Sequence, residues 1–231
     1  MKAYLFAKGC VSYGAAVLSG KAVAVVLAML MALPVAAGQV TVTALGDSLT
    51  QGYGLPEGEG FVPQMQAWLE AQGADVMLIN AGVSGDTTAG GAARLAWALA
   101  DKPQAMIVTL GGNDMLRGID PVVARGNLEA ILLAAREAEV AVMLVGMKAP
   151  QNYGADYKVQ FDALYGDLAA EYNALFYDNF FAGLEADTQD AARAFMQADG
   201  IHPNAKGVRR IVAAMGPAVV ALIARVDGSG S

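Results

Sequence analysis

The sequence predicts an α/β fold, a three-layer α/β/α sandwich around a mainly parallel, flavodoxin-like sheet of five strands. Three observations predict it. Five short β-like apolar runs alternate with longer segments of helical period, which calls for a parallel sheet covered on both faces. Glycine and polar residues cluster just after three of those runs, at Gly46-Asp47-Ser48, Gly82-Val83-Ser84-Gly85-Asp86 and Gly111-Gly112-Asn113-Asp114. The chain has 231 residues, 55% of them hydrophobic, enough for one substantial core and too few for two domains by default.

Taken in order, the strands are expected at 39–45, 75–81, 104–110, 140–147 and 174–178. The first intervening helix is expected at 61–72, where Phe61, Met65, Trp68 and Leu69 fall at i, i+4, i+7 and i+8. Helical patterns follow at 87–100, 121–139, 156–173 and 204–226. Trp68 and Trp97 fit the core faces of their helices. Asp114 reads as a helix cap. A single folded domain is thus expected to span 38–226, and the tail 227–231, Asp-Gly-Ser-Gly-Ser, to be disordered.

The N-terminus reads as an export signal over 1–37. Lys21 precedes twelve apolar residues, Ala22 to Leu33, and the small residues Val35 and Ala37 fit a peptidase site after Ala37. Twelve residues are short for a membrane span, so no stable anchor is expected after cleavage. Cys10 is the sole cysteine and lies within the signal, so the mature chain has no thiol, which suits a periplasmic or secreted protein. Removing Lys2, Lys8 and Lys21, with no acid lost, takes the formal charge from −7 to −10. Such a surface repels phosphate backbones, so no nucleic-acid partner is expected. One histidine and no mature cysteine leave no metal-ligand set. Phosphate-loop and dinucleotide fingerprints are absent as well.

The three polar turns share one edge of a parallel sheet, the carboxyl ends of the strands, where ligands bind. Ser48 in a strand-to-helix turn is by itself more often an N-cap than a nucleophile. His202, the sole histidine, supplies a base, because a serine hydroxyl attacks well only when a neighbouring group takes its proton. Asp199, three residues earlier across a glycine, is placed to accept the second imidazole N–H and fix the ring. Oxyanion donors are then needed, and the Ser48 and Gly82 backbone N–H groups and the Asn113 amide are the candidates. A plain turn at Gly82 and helix capping by Asn113 are the bland alternatives.

Together, Gly46-Asp47-Ser48-Leu49, Gly82, Gly111-Gly112-Asn113-Asp114 and Asp199-Gly200-Ile201-His202-Pro203 resemble, in order and spacing, the four blocks of the SGNH (GDSL) hydrolase superfamily. The resemblance covers 41–226 and is nearest to the secreted arylesterase, acyl-CoA thioesterase and lysophospholipase group. It implies a cofactor-free serine hydrolase with Ser48, Asp199 and His202 as triad, and Ser48, Gly82 and Asn113 as oxyanion hole. It also implies that the loop carrying Ala149, Pro150 and Tyr153 lies near the acyl chain, with Ala149 standing where a bulkier aliphatic is common. The implied partner is a small acyl ester or thioester, handled by a monomer. Two alternatives remain open on sequence: a periplasmic carbohydrate deacetylase with the same triad, and a non-catalytic module binding lipid or cell-wall material.

Overall fold

The computed structural model describes residues 38–184 and 193–227. The expected signal over 1–37 and the tail residues 228–231 lie outside the described residues.

The first four strands form where apolar runs end in glycine-containing turns. The five are β1 (Val40–Gly46), β2 (Val76–Gly82), β3 (Ala105–Thr109), β4 (Ala141–Val145) and β5 (Leu175–Tyr177). All pair in parallel in the order β2-β1-β3-β4-β5, with Gly46 opposite both Gly82 and Thr109. Every residue of β3 is buried, as a strand with neighbours and helices on both sides requires, whereas edge strand β2 leaves Met77 and Asn80 exposed. The five expected strands are all present, each beginning one residue later than expected and ending within two residues of the expected place.

Helices cover both faces. On one lie α2 (Phe61–Ala71) and α8 (Ala205–Asp227), which pack on each other. Between the segment ends, α1 (Ser48–Gln51) is a single turn after β1. On the other face lie α3 (Thr88–Ala93), α6 (Pro121–Glu137) and α7 (Ala155–Glu171), with the one-turn α4 (Leu95–Ala98) and α5 (Gly112–Leu116) in the connections. In α6, Asp120 caps the Val122 N–H, Pro121 fits the first turn, and Ala124, Leu128, Ile131, Leu132 and Ala135 form the buried stripe. In α8, Asn204 accepts from Lys206 and Gly207 N–H, and Val208, Ile211, Val212, Met215, Val219, Leu222 and Ile223 face the core. Each such side chain is worth roughly 1.5–3 kcal/mol over exposure. The helix includes Asp227, a residue expected to belong to the tail.

Two expectations about helices are corrected. The pattern over 87–100 is not one helix: Arg94 leaves helical geometry at φ −106° and ψ 12°, dividing α3 from α4. Its side chain is drawn to Asp86 and to the Gly46 carbonyl instead of lying along the helix. Trp97, displaced by that break, is 60% exposed with the Arg94 guanidinium over its ring, so it does not belong to the core. Trp68 does pack against the core, its ring resting where Gly216 of α8 has no side chain.

Candidate active site

With this strand order, connections leave β1 in opposite directions, and the crevice between the carboxyl ends of β1 and β3 is the topological switch point. Ser48 follows β1 and Asn113 follows β3. They line a cleft of about 740 Å³ together with Tyr53, Gly85, Met147 and His202. A hollow of about 870 Å³ lies at the opposite edge of the sheet, lined by Gln104, Arg136, Tyr172 and Arg225, and brings no nucleophile to a base.

The turn into α1 is shaped by close approach. A Cβ on Gly46 would collide with the Thr50 side chain, so glycine is required at the entry to the Ser48 turn. Asp47 is 2% exposed and caps α1 by accepting the Leu49 N–H at 3.0 Å. Burial pushes its carboxyl up to about 6, against the lowering pull of the Leu49 and Asn113 hydrogen bonds. Ser48 is 8% exposed and begins the helix, so its own N–H has no intrahelical acceptor.

Ser48 Oγ lies 2.8 Å from His202 Nε2, and His202 Nδ1 lies 2.7 Å from Asp199 Oδ2. The other carboxylate oxygen of Asp199 accepts the backbone N–H groups of Ile201 and His202. The His202 side-chain hydrogen bond, followed by those two N–H groups, holds the Asp199 carboxyl down at about 2. An ionised Asp199 assigns the imidazole proton to Nδ1, leaving Nε2 to accept from the serine hydroxyl. The expected triad is therefore assembled.

The expected oxyanion donors are brought together in part. Asn113 lines the cleft, its amide donating to the Asp86 carbonyl at 2.9 Å and to Asp47 Oδ2 at 3.2 Å. Gly82 does not line it. Its N–H donates to Asn80 Oδ1 at 3.0 Å, and its glycine identity answers to the Gln51 backbone, which a Cβ would strike. Three residues on, Gly85 does line the cleft, in left-handed geometry at φ +84° that glycine adopts without strain, and its N–H has no hydrogen-bond partner among the described residues. The glycine that faces the cleft is thus Gly85 and not the expected Gly82.

The loop residues Ala149, Pro150 and Tyr153 are also not part of the cleft lining. Ala149 is buried, with its N–H on Asp162 and its carbonyl on Lys158, while Tyr153 donates to the Leu116 carbonyl at 3.1 Å. Apolar lining comes instead from Met115, Leu116, Met147, Phe181, Leu184 and Met196. Asp114 is not the cap the sequence suggested: it lies inside α5, whose N-cap is Gly111, and, buried beneath the cleft, it accepts the Thr88 N–H and hydroxyl at the start of α3.

Sequence reasoning gave no role to Asp86 or Arg94. Arg94 Nε binds Asp86 Oδ2 at 2.5 Å and its Nη2 donates to the Gly46 carbonyl at 2.9 Å, tying the turn after β2 to the turn after β1. The charge complementarity of Asp86 and Arg94 at i and i+8 was the one signal available.

Residues 44–210 match the GDSL-like Lipase/Acylhydrolase family. This chain belongs to that family. It is 36% identical over 198 residues to the esterase TesA of Pseudomonas aeruginosa, covering 85% of this chain and 96% of that protein. It is 34% identical over 170 residues to thioesterase 1/protease 1/lysophospholipase L1 of Escherichia coli strain K12, covering 73% and 78%. Among solved structures, the SGNH-hydrolase family esterase AlinE4 superposes with a TM-score of 0.66 at 42% identity, over 80% of this chain and 96% of that one. The family member described here is accordingly an enzyme, a hydrolase of the SGNH type.

Proposed function

We propose that this family member hydrolyses carboxylic ester and thioester bonds of acyl substrates through an acyl-serine intermediate at Ser48. The observation that carries the reading is the unbroken relay from Ser48 Oγ through His202 to Asp199, at 2.8 and 2.7 Å, opening into an apolar-lined cleft. As Ser48 attacks the carbonyl carbon, its proton passes to His202 Nε2, and Asp199 stabilises the imidazolium that forms. The oxyanion is held by the N–H groups of Ser48 and Gly85 and by the Asn113 amide, which exchanges its Asp47 hydrogen bond for the substrate oxygen. His202 then gives the proton to the leaving oxygen or sulfur, and water repeats the sequence on the acyl-enzyme. Met147, Phe181, Leu184 and Met196 offer more apolar surface than an acetyl group fills, which favours longer acyl chains over a deacetylase role.

The test is hydrolysis of p-nitrophenyl esters from acetate to palmitate. Ser48→Ala is expected to lower kcat by roughly four orders of magnitude or more, and Asn113→Ala by roughly 10²–10³ with KM little changed. A folded Ser48→Ala that keeps wild-type turnover sinks the proposal. Export is proposed with it, on the apolar run from Ala22 to Leu33 and the small residues before Gly38. Intact mass of the protein from the extracytoplasmic fraction should correspond to a monomeric chain beginning at Gly38; a mass retaining Met1 refutes cleavage.

A further inference from the structure

Tyr53 stands at the cleft mouth with no part in the steps above. Its backbone is clamped on two sides: its N–H donates to the Ser48 carbonyl at 3.1 Å, and its carbonyl accepts from Gln197 Nε2 at 2.8 Å. The nucleophile's helix and the segment carrying the base thus both fix where its side chain starts. That side chain is 50% exposed, lines the cleft, and sets its ring 4.7 Å from the His202 imidazole at a tilt of 40°. Ile201, adjacent to His202 and exposed, lines the same cleft.

The chemistry assigns this corner. In the tetrahedral intermediate the carbon carries four groups: Ser48 Oγ, the oxyanion directed at Asn113 and Gly85, the acyl carbon, and the leaving atom. The leaving atom must reach His202 Nε2, because that nitrogen returns the proton to it as its bond to carbon breaks. A leaving group therefore departs alongside the imidazole, against which the half-exposed Tyr53 ring is packed. We infer that Tyr53, with Ile201, forms a leaving-group subsite that favours planar aromatic alcohols over saturated ones of equal size. Offset or tilted ring contact is the source of the preference. The inference rests on the hydrolase reading above.

Benzyl and cyclohexylmethyl butyrate test it, since they share an acyl group and differ in whether the leaving ring is aromatic. In the wild type, kcat/KM should favour the benzyl ester. Tyr53→Leu should reduce the benzyl-to-cyclohexylmethyl ratio by roughly three- to tenfold, and Tyr53→Phe should keep it. Breakdown of the butyryl-enzyme, in which the alcohol has already left, should proceed at the wild-type rate in both variants. An unchanged ratio in Tyr53→Leu overturns the inference. So does an equal fall for both esters and for deacylation, which would make Tyr53 a packing support for His202. A wild type inactive on both esters overturns the hydrolase reading itself, and the subsite with it.

Discussion

Asp47 is a carboxyl group whose environment departs far from its ordinary solution chemistry. Burial raises its carboxyl from 3.8 to about 6, so between those pH values the native state keeps a proton that the unfolded chain has released. Stability contributed at this site therefore falls as pH rises through that window and stays lower above it. At about 1.4 kcal/mol per unit, the shift is worth about 3 kcal/mol. Asp47→Asn cannot titrate, so its unfolding free energy relative to wild type should improve by about that much between pH 3.5 and 7, measured by urea denaturation. A gap that stays constant with pH refutes a buried, proton-binding Asp47. Asp199 runs the other way: held at about 2 by His202 and two backbone N–H groups, it stabilises the fold above the ordinary carboxylate range and loses that contribution as pH falls toward 2. The two glycines of Gly82-Val83-Ser84-Gly85 show where a residue's role escapes the sequence. Both are visible there, but which one turns left-handed into the cleft and which one merely clears the Gln51 backbone depends on tertiary contacts.

At the scale of elements, the three loops that carry the proposed oxyanion donors are tied by Arg94. Its guanidinium holds the Asp86 carboxylate and the Gly46 carbonyl, while the Asp86 carbonyl holds the Asn113 amide. Arg94→Gln should leave Asp86 without its cation and let these loops drift, lowering kcat by up to roughly a hundredfold with a small change in KM. Arg94→Lys, which keeps the charge but cannot serve both acceptors in the same geometry, should fall between. Equal kcat in wild type and Arg94→Gln would show that the loops hold their places without the tie. Strands and long helices were legible because buried parallel strands read as apolar runs ending in glycine turns, and because α6 and α8 repeat their apolar faces at helical spacing. The break at Arg94 was not, because its cause is a bond to a carbonyl 48 residues earlier in the chain. Trp97 was misread for the same reason: a helical period carries no information past the point where the helix stops. The loop after β4 was misplaced because its anchors, Asp162 and Lys158, lie on α7 and turn Ala149 inward.

For the whole molecule, the proposed catalysis joins two parts of unequal robustness. Ser48 and Asn113 stand on turns at the ends of β1 and β3, the most buried strands of the sheet. Asp199 and His202 stand on a segment held by a few polar ties: Gln197 to the Tyr53 and Pro203 carbonyls, Asn204 to the Ala194 and Met196 carbonyls, and one bridge between Met196 and Pro203. Such a segment opens at lower free energy than the sheet beneath it. On heating, esterase activity should be lost several degrees below the midpoint of the far-ultraviolet circular dichroism transition, and should return on cooling from that interval. Coincident midpoints would mean that the segment and the sheet unfold as one.

Because the proposed base and its orienting carboxylate sit three residues apart on a single turn, their spacing is set within one short stretch of chain, and only the gap from Ser48 to His202 is closed by folding at a distance. Half of the relay is therefore portable. A protein engineer who wants to equip another parallel sheet with this chemistry has one long-range distance to solve rather than two, and a lineage remodelling the rest of the chain can preserve the pair by keeping four consecutive letters.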